Sequence, residues 1–144
     1  MDLELEGFGR PARDHPQESI VVLLDTHFLL WTALRSRRLA PYPWLADHQP
    51  WAVSPVSLLE IQFLAEAGRV DVRPGFFDAL RRDSRYVIDE PAFESLMQAA
   101  MPLDWTRDPF DRLLCAHSSV RRMPLCTLDR GMRKHHTLLP RQLR

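Results

Sequence analysis

Lysine is almost missing from this chain. Of the 19 basic residues among 144, only Lys134 is lysine and the other 18 are arginine. A receiver-type phosphoacceptor site needs a lysine at the end of a late strand, and Lys134 is badly placed for that. Glycine is scarce too, with five in all. No GxxxxGK[ST] loop exists, which excludes nucleotide hydrolysis of the P-loop kind. The two cysteines, Cys115 and Cys126, stand in no CxxC or zinc-ligand spacing and read as reduced core residues. The six histidines show no HxxxH pattern. No stretch approaches the ~18 apolar residues of a membrane span. The acidic, polar start MDLELEGFGRPARDHPQE lacks the basic-then-apolar plan of a signal peptide. A soluble, cytoplasmic protein without membrane contact is the expectation.

Apolar residues make up 45% of the sequence, enough for one domain with a real core. Net charge is zero but unevenly spread. Residues 107–144 carry nine bases against three acids, and residues 1–106 carry ten against sixteen. The basic end suits a phosphate-bearing partner or forms a solvated arginine-rich surface.

Residues 1–19 carry Gly, Pro and charge without periodicity and are expected as a frayed arm. The domain is expected over residues 20–144. The run SIVVLLD reads as a buried central strand ending at Asp25. THFLLWTAL then reads as helix, and Pro41 and Pro43 break the next stretch. WAV is a second short strand. Ser54-Pro55 reads as an N-cap with proline in the first helical position, opening a helix that ends near Gly68. PGFFDALRR and PAFESLMQAAM read as helices around a third strand, RYVID. MPLCTLD is a fourth strand ending at Asp129, and HTLL a candidate fifth. Alternating strands and helices imply an α/β layered domain with a mainly parallel sheet, with sites beyond the carboxyl ends of its strands.

Four carboxylates fall in telling places. Asp25 and Asp129 each close a strand; each is also a residue that a turn accommodates through its own backbone. Glu60 lies on an apolar stripe expected from Val56, Leu59, Phe63, Leu64 and Ala67. A carboxylate there needs an arginine, a proton or a cation. In RDPFDRLLCAH, Asp108 fits an N-cap before Pro109, and Asp111 takes the third helical position of a capping box. The helix dipole also stabilises Asp111 as the anion, ready to bind a metal ion. Four convergent carboxylates would carry a charge near −4 and repel one another without a cation. Oxygen-only ligands select hard ions, Mg²⁺ or Mn²⁺, the usual apparatus of phosphoryl chemistry.

LLDTHFLLW, SPVSLLEI, RDPFDRLLCAH and PLCTLDRGM, in this order and spacing, resemble the motifs of PIN-domain ribonucleases, and of the VapC-type toxins of VapBC toxin–antitoxin modules in particular. The resemblance covers roughly Ile20 to Leu139. It implies a PIN-like sheet of about five parallel strands flanked by helices, and Mg²⁺- or Mn²⁺-dependent endonucleolytic RNA cleavage. It also implies a homodimer and inhibition by a cognate antitoxin. By position the catalytic and metal-binding acids would be Asp25, Glu60, Asp111 and Asp129, supported by Thr127 and by Asp108 as cap. Two departures stand out: Leu59 replaces a tryptophan common in the family, and the first 19 residues exceed its usual start. Arg107, Arg112, Arg121 and Arg122 are the candidates to hold the RNA backbone. Two other readings remain. One is a non-catalytic RNA- or partner-binding module on the same fold, and the other a DNA-directed nuclease.

Overall fold

The computed structural model describes residues 20–144, so the arm expected over residues 1–19 lies outside the described residues. Four short parallel strands form one sheet: β1 (Leu23–Leu24), β2 (Trp51–Val53), β3 (Tyr86–Ile88) and β4 (Leu125–Cys126), in the order β3-β2-β1-β4. Leu23 stands opposite Ala52 on one side and Leu125 on the other, and Leu24 opposite Val53 and Cys126. Six α-helices alternate with these strands among the described residues: α1 (Thr26–Ala33), α2 (Pro55–Glu66), α3 (Phe76–Arg82), α4 (Phe93–Ala100), α5 (Pro109–Arg121) and α6 (Arg130–His135). Short 3-10 turns at Arg37–Leu39 and Pro43–His48 fill the proline-broken stretch.

The strand expected over SIVVLLD shortens to Leu23–Leu24: Val22 to Leu24 are buried on both sheet faces, whereas Ile20 and Val21 are exposed. Val22, Leu24, Val53 and Cys126 face a core completed by Phe28 and Leu29 of α1, Ile61 of α2, and Tyr86. Leu23, Ala52 and Leu125 face a second core with Leu114 and Cys115 of α5 and Met132 of α6. Each such fully buried leucine contributes roughly 2 kcal/mol of burial free energy.

Two expectations are corrected. The sheet has four strands, not about five. HTLL forms no ladder: Leu125 N–H donates to Leu138 O at 2.9 Å, but Leu139 N–H turns back to Thr137 O and Pro140 comes next. The turn and the proline end the pairing after one bond. The stripe on α2 is also rotated from its expected position. Its buried residues are Ser57 and Ile61, with Leu58 and Leu64 packed on the core, whereas Leu59 and Phe63 are half exposed. Gly68, at φ +73, takes the left-handed conformation just past the end of α2.

Candidate active site

Parallel strands bring their carboxyl ends to one edge, and four helices start there. Between β1 and β4 the chain leaves in opposite directions, the crevice where α/β sheets place ligands. Asp25 follows β1 and caps α1; its Oδ1 accepts Phe28 N–H at 2.9 Å. Asp129 follows β4 and caps α6; its Oδ1 accepts Met132 N–H at 2.9 Å. Ser54 follows β2 and caps α2, and Asp108 caps α5, with Oδ1 accepting Phe110 N–H at 2.9 Å and Asp111 N–H at 3.4 Å. In each aspartate cap the backbone bonds fall on Oδ1 alone.

Asp25 is buried, and desolvation pushes its carboxyl up to about 6. Phe28 N–H, the Thr127 hydroxyl and nearby His27 pull the other way, while Glu60 adds to the rise. Fully buried Thr127 stands by two acids: its hydroxyl, 3.6 Å from Met132 Sδ, favours the Asp25 anion, and its oxygen accepts Asp129 N–H at 3.0 Å. Glu60 is half-buried on α2. Thr26 donates its hydroxyl to Glu60 Oε1 and sits 3.1 Å from Ser57 Oγ. Desolvation raises Glu60, the Thr26 bond lowers it, Asp108 raises it and His27 lowers it. Asp111, in the first turn of α5, is pushed up to about 7, first by desolvation and then by Asp108, Asp129, Glu60 and Asp25. Burial first, and then Asp111 and Asp129, push the Cys115 thiol up to about 12, so that buried sulfur is inert at neutral pH.

The four acids named from sequence therefore share one electrostatic neighbourhood. Asp108 belongs to it as well, since it heads the carboxylates acting on Asp111 and Glu60. Such a set of hard oxygen donors, with charge on Asp25, Glu60 and Asp111 made costly by burial and by neighbouring acids, suits a divalent cation. Among the described residues no trio of Asp, Glu, His or Cys stands close enough to hold one ion directly. Mg²⁺ keeps several of its waters, so a donor set at this spacing fits it through intervening water. Around the acids, Phe63 meets Phe110 edge-on at 5.5 Å, and Trp105 stacks on His135 at 4.9 Å and 8°. Trp105 also closes on α6 at Gly131, where an added Cβ would lie 3.1 Å from the indole and 3.3 Å from Asp129 Oδ1. Glycine permits that approach.

Of the arginines expected to hold RNA, Arg107 is exposed beside Asp108. Arg112 donates Nε to Thr106 O at 2.7 Å. Arg121 forms two bonds to Asp89, at 2.9 and 3.0 Å. Arg122 ends α5, ~16 Å along the helix from Asp111 at 1.5 Å per residue. Asp89 also bonds the fully buried His117 at 2.8 Å, a cluster that sequence reading did not find. Nothing in local spacing links Asp89 to residue 117. Thr26, His27 and Ser57 were missed as neighbours of the acids, although Thr26 and His27 directly follow Asp25. His136 is buried and bonded to Ser118 Oγ at 2.8 Å.

Against this geometry, the model of the PIN domain matches residues 22–137. The chain belongs to the PIN-domain family. Among curated relatives, this PIN domain is 29% identical over 118 residues to Ribonuclease VapC22 of Mycobacterium tuberculosis, an alignment covering 79% of this chain and 91% of the relative. Among solved structures it resembles a chain of a toxin–antitoxin complex from Klebsiella pneumoniae, with a TM-score of 0.56 and 16% identity. That match covers 77% of this PIN domain and 89% of the other chain, and shows shared fold. No helix among the described residues is long and apolar enough to cross a membrane.

Proposed function

We propose that this PIN domain is a metal-dependent endoribonuclease, the toxin of a VapBC-type toxin–antitoxin module. The observation that carries the reading is the gathering of Asp25, Glu60, Asp111 and Asp129 at one crevice, with Asp25 and Asp111 raised to about 6 and about 7. The similarity to a VapC ribonuclease supports RNA as substrate. Asp25, Asp111 and Asp129 would hold Mg²⁺ or Mn²⁺, with Glu60 a ligand directly or through water. A bound divalent ion supplies charge against the phosphodiester and acidifies water. The chain's own groups do the rest. Glu60, set by the Thr26 hydroxyl, holds the attacking water. Thr127 favours the Asp25 anion and accepts Asp129 N–H. The caps on α1 and α6 hold Asp25 and Asp129 by one oxygen each, and the Asp108 cap sets the first turn of α5, which carries Asp111. Attack in line with the leaving oxygen would give a 5′-phosphate and a 3′-hydroxyl. Arg107, exposed and next to Asp108 in sequence, would meet phosphate. The toxin reading carries with it a homodimer, cytoplasmic action and an antitoxin partner, for whose arginine the acid cluster is a natural target.

The test is cleavage of labelled RNAs by purified protein with Mg²⁺, with Mn²⁺ and with EDTA. Cleavage that needs the metal and is lost in Asp111→Asn supports the reading. Undiminished cleavage in EDTA by metal-free protein, or none with either ion, refutes it.

A further inference from the structure

A cluster of five carboxylates repels the phosphates it is proposed to act on, so grip on a nucleic acid must come from cations beside it. Arg121 is committed within the chain, ion-paired to Asp89. Another set of cations begins one residue after Asp129. Arg130, Arg133 and Lys134 share a face of α6 by their i, i+3, i+4 spacing. Together with Arg144 they ring a cavity of about 490 Å³, floored by buried Leu139 and Leu143. No Asp or Glu side chain lines it. Among the described residues, no ion pair engages these four cations.

Two of the cations are held in place by backbone. Arg133 donates to Leu143 O at 3.1 Å and Arg144 donates Nε to Leu139 O at 3.2 Å. A guanidinium has five N–H donors, so each keeps most of them for a ligand. His136 also lines the cavity, but burial lowers its pKa and it stays neutral at pH 7. Lys134 lies five residues after Asp129, ~7.5 Å along the helix, within the reach of a few nucleotides.

We propose that the cavity ringed by Arg130, Arg133, Lys134 and Arg144 is a phosphate subsite that holds the backbone of single-stranded RNA where it leaves the acid cluster. It rests on the ribonuclease reading above. The position next to Asp129 favours a strand continuous with the crevice over an acidic peptide, which would have no reason to border the acids.

The test is fluorescence anisotropy of the full chain with a labelled single-stranded RNA in EDTA, where binding is read without cleavage, across a series of KCl concentrations. The double variant Arg133→Gln/Lys134→Gln should bind at least about tenfold more weakly at low salt. Its slope of log affinity against log salt should fall by about 1.4, at ~0.7 per lost contact to a single strand. Because Arg133 also braces Leu143, Lys134→Gln alone is the second variant, with an expected slope loss of ~0.7. Arg69→Gln, in the loop after α2, should bind as wild type. Unchanged affinity and slope in both cavity variants overturns the subsite, as does poly-glutamate binding with the same sensitivities when RNA has none. The two readings fail separately. If wild type does not cleave in Mg²⁺ but RNA binding still depends on these cations, the nuclease reading falls and the subsite stands. If the double variant binds as wild type while wild type cleaves, the subsite falls alone.

Discussion

Replacing Asp111 with asparagine should stabilise the metal-free protein, and only at neutral to alkaline pH. The ionised carboxylate is opposed by desolvation and by four neighbouring acids, which move its pKa from 3.8 to about 7. At about 1.4 kcal/mol per pH unit, the ceiling on that cost is about 4 kcal/mol. Half-burial lets solvent screen much of it, leaving about 1–2 kcal/mol. Against this stands the helix dipole, which favours an anion in the first turn of α5 by about 0.5 kcal/mol. The net gain is about 1 kcal/mol, roughly 3 °C in melting temperature for a chain of this size. The sign comes from the raised pKa. Below pH 3.8 the group is protonated in both states and costs nothing. Between 3.8 and about 7 the unfolded chain gives up its proton first, so wild-type stability falls with rising pH. Above about 7 the full cost applies. Melting both proteins in EDTA from pH 4 to pH 8 reads this directly. A difference that does not grow with pH, or an asparagine variant less stable at pH 8, refutes the repulsion argument.

Asp108→Ala should lose about 1 kcal/mol of stability, the usual worth of an N-cap, with a modest fall in cleavage rate as the start of α5 loosens. Asp111→Asn should instead cut cleavage about a hundredfold or more at saturating metal, and normal cleavage by it beside a dead but stable Asp108→Ala would reverse the two roles. Millimolar Mg²⁺ should raise the wild-type melting temperature and raise that of Asp111→Asn less, as scanning calorimetry will read. Asp89→Ala takes from buried His117 its one hydrogen-bond partner and should cost about 2 kcal/mol at pH 8 by urea unfolding. Burial lowers the His117 pKa, so wild type should lose stability as pH falls below about 6.5.

Much of this architecture is legible in the residues. The strand ending before Asp25 could be recognised because Ile20 to Leu24 are all apolar, though only Leu23 and Leu24 pair and the exposed Ile20 and Val21 are as apolar as they are. Ser54-Pro55 and Asp108-Pro109 marked helix starts because proline fits only where its missing N–H is not needed. The acids stood out because strands ending in aspartate in a parallel sheet share one edge. The features that escaped depend on the third dimension. The α2 stripe was misplaced since Leu59 and Phe63 are as apolar as Leu58 and Leu64, and only packing tells them apart. The pairing of Arg121 was hidden because its partner Asp89 carries no signal at helical spacing. The fifth strand failed on a reversal at Leu139 that a run of leucines does not announce.

The single bond from Leu125 to Leu138 has a consequence for solubility. β4 is an outer strand, and the returning tail is what lies along its open side. An uncovered outer strand offers unpaired N–H and C=O groups to another molecule. Removing residues 137–144 would bare that row along with the apolar Leu125 and Cys126 beneath it. Light scattering should then show concentration-dependent association in the shortened chain, under conditions where the intact protein stays dispersed.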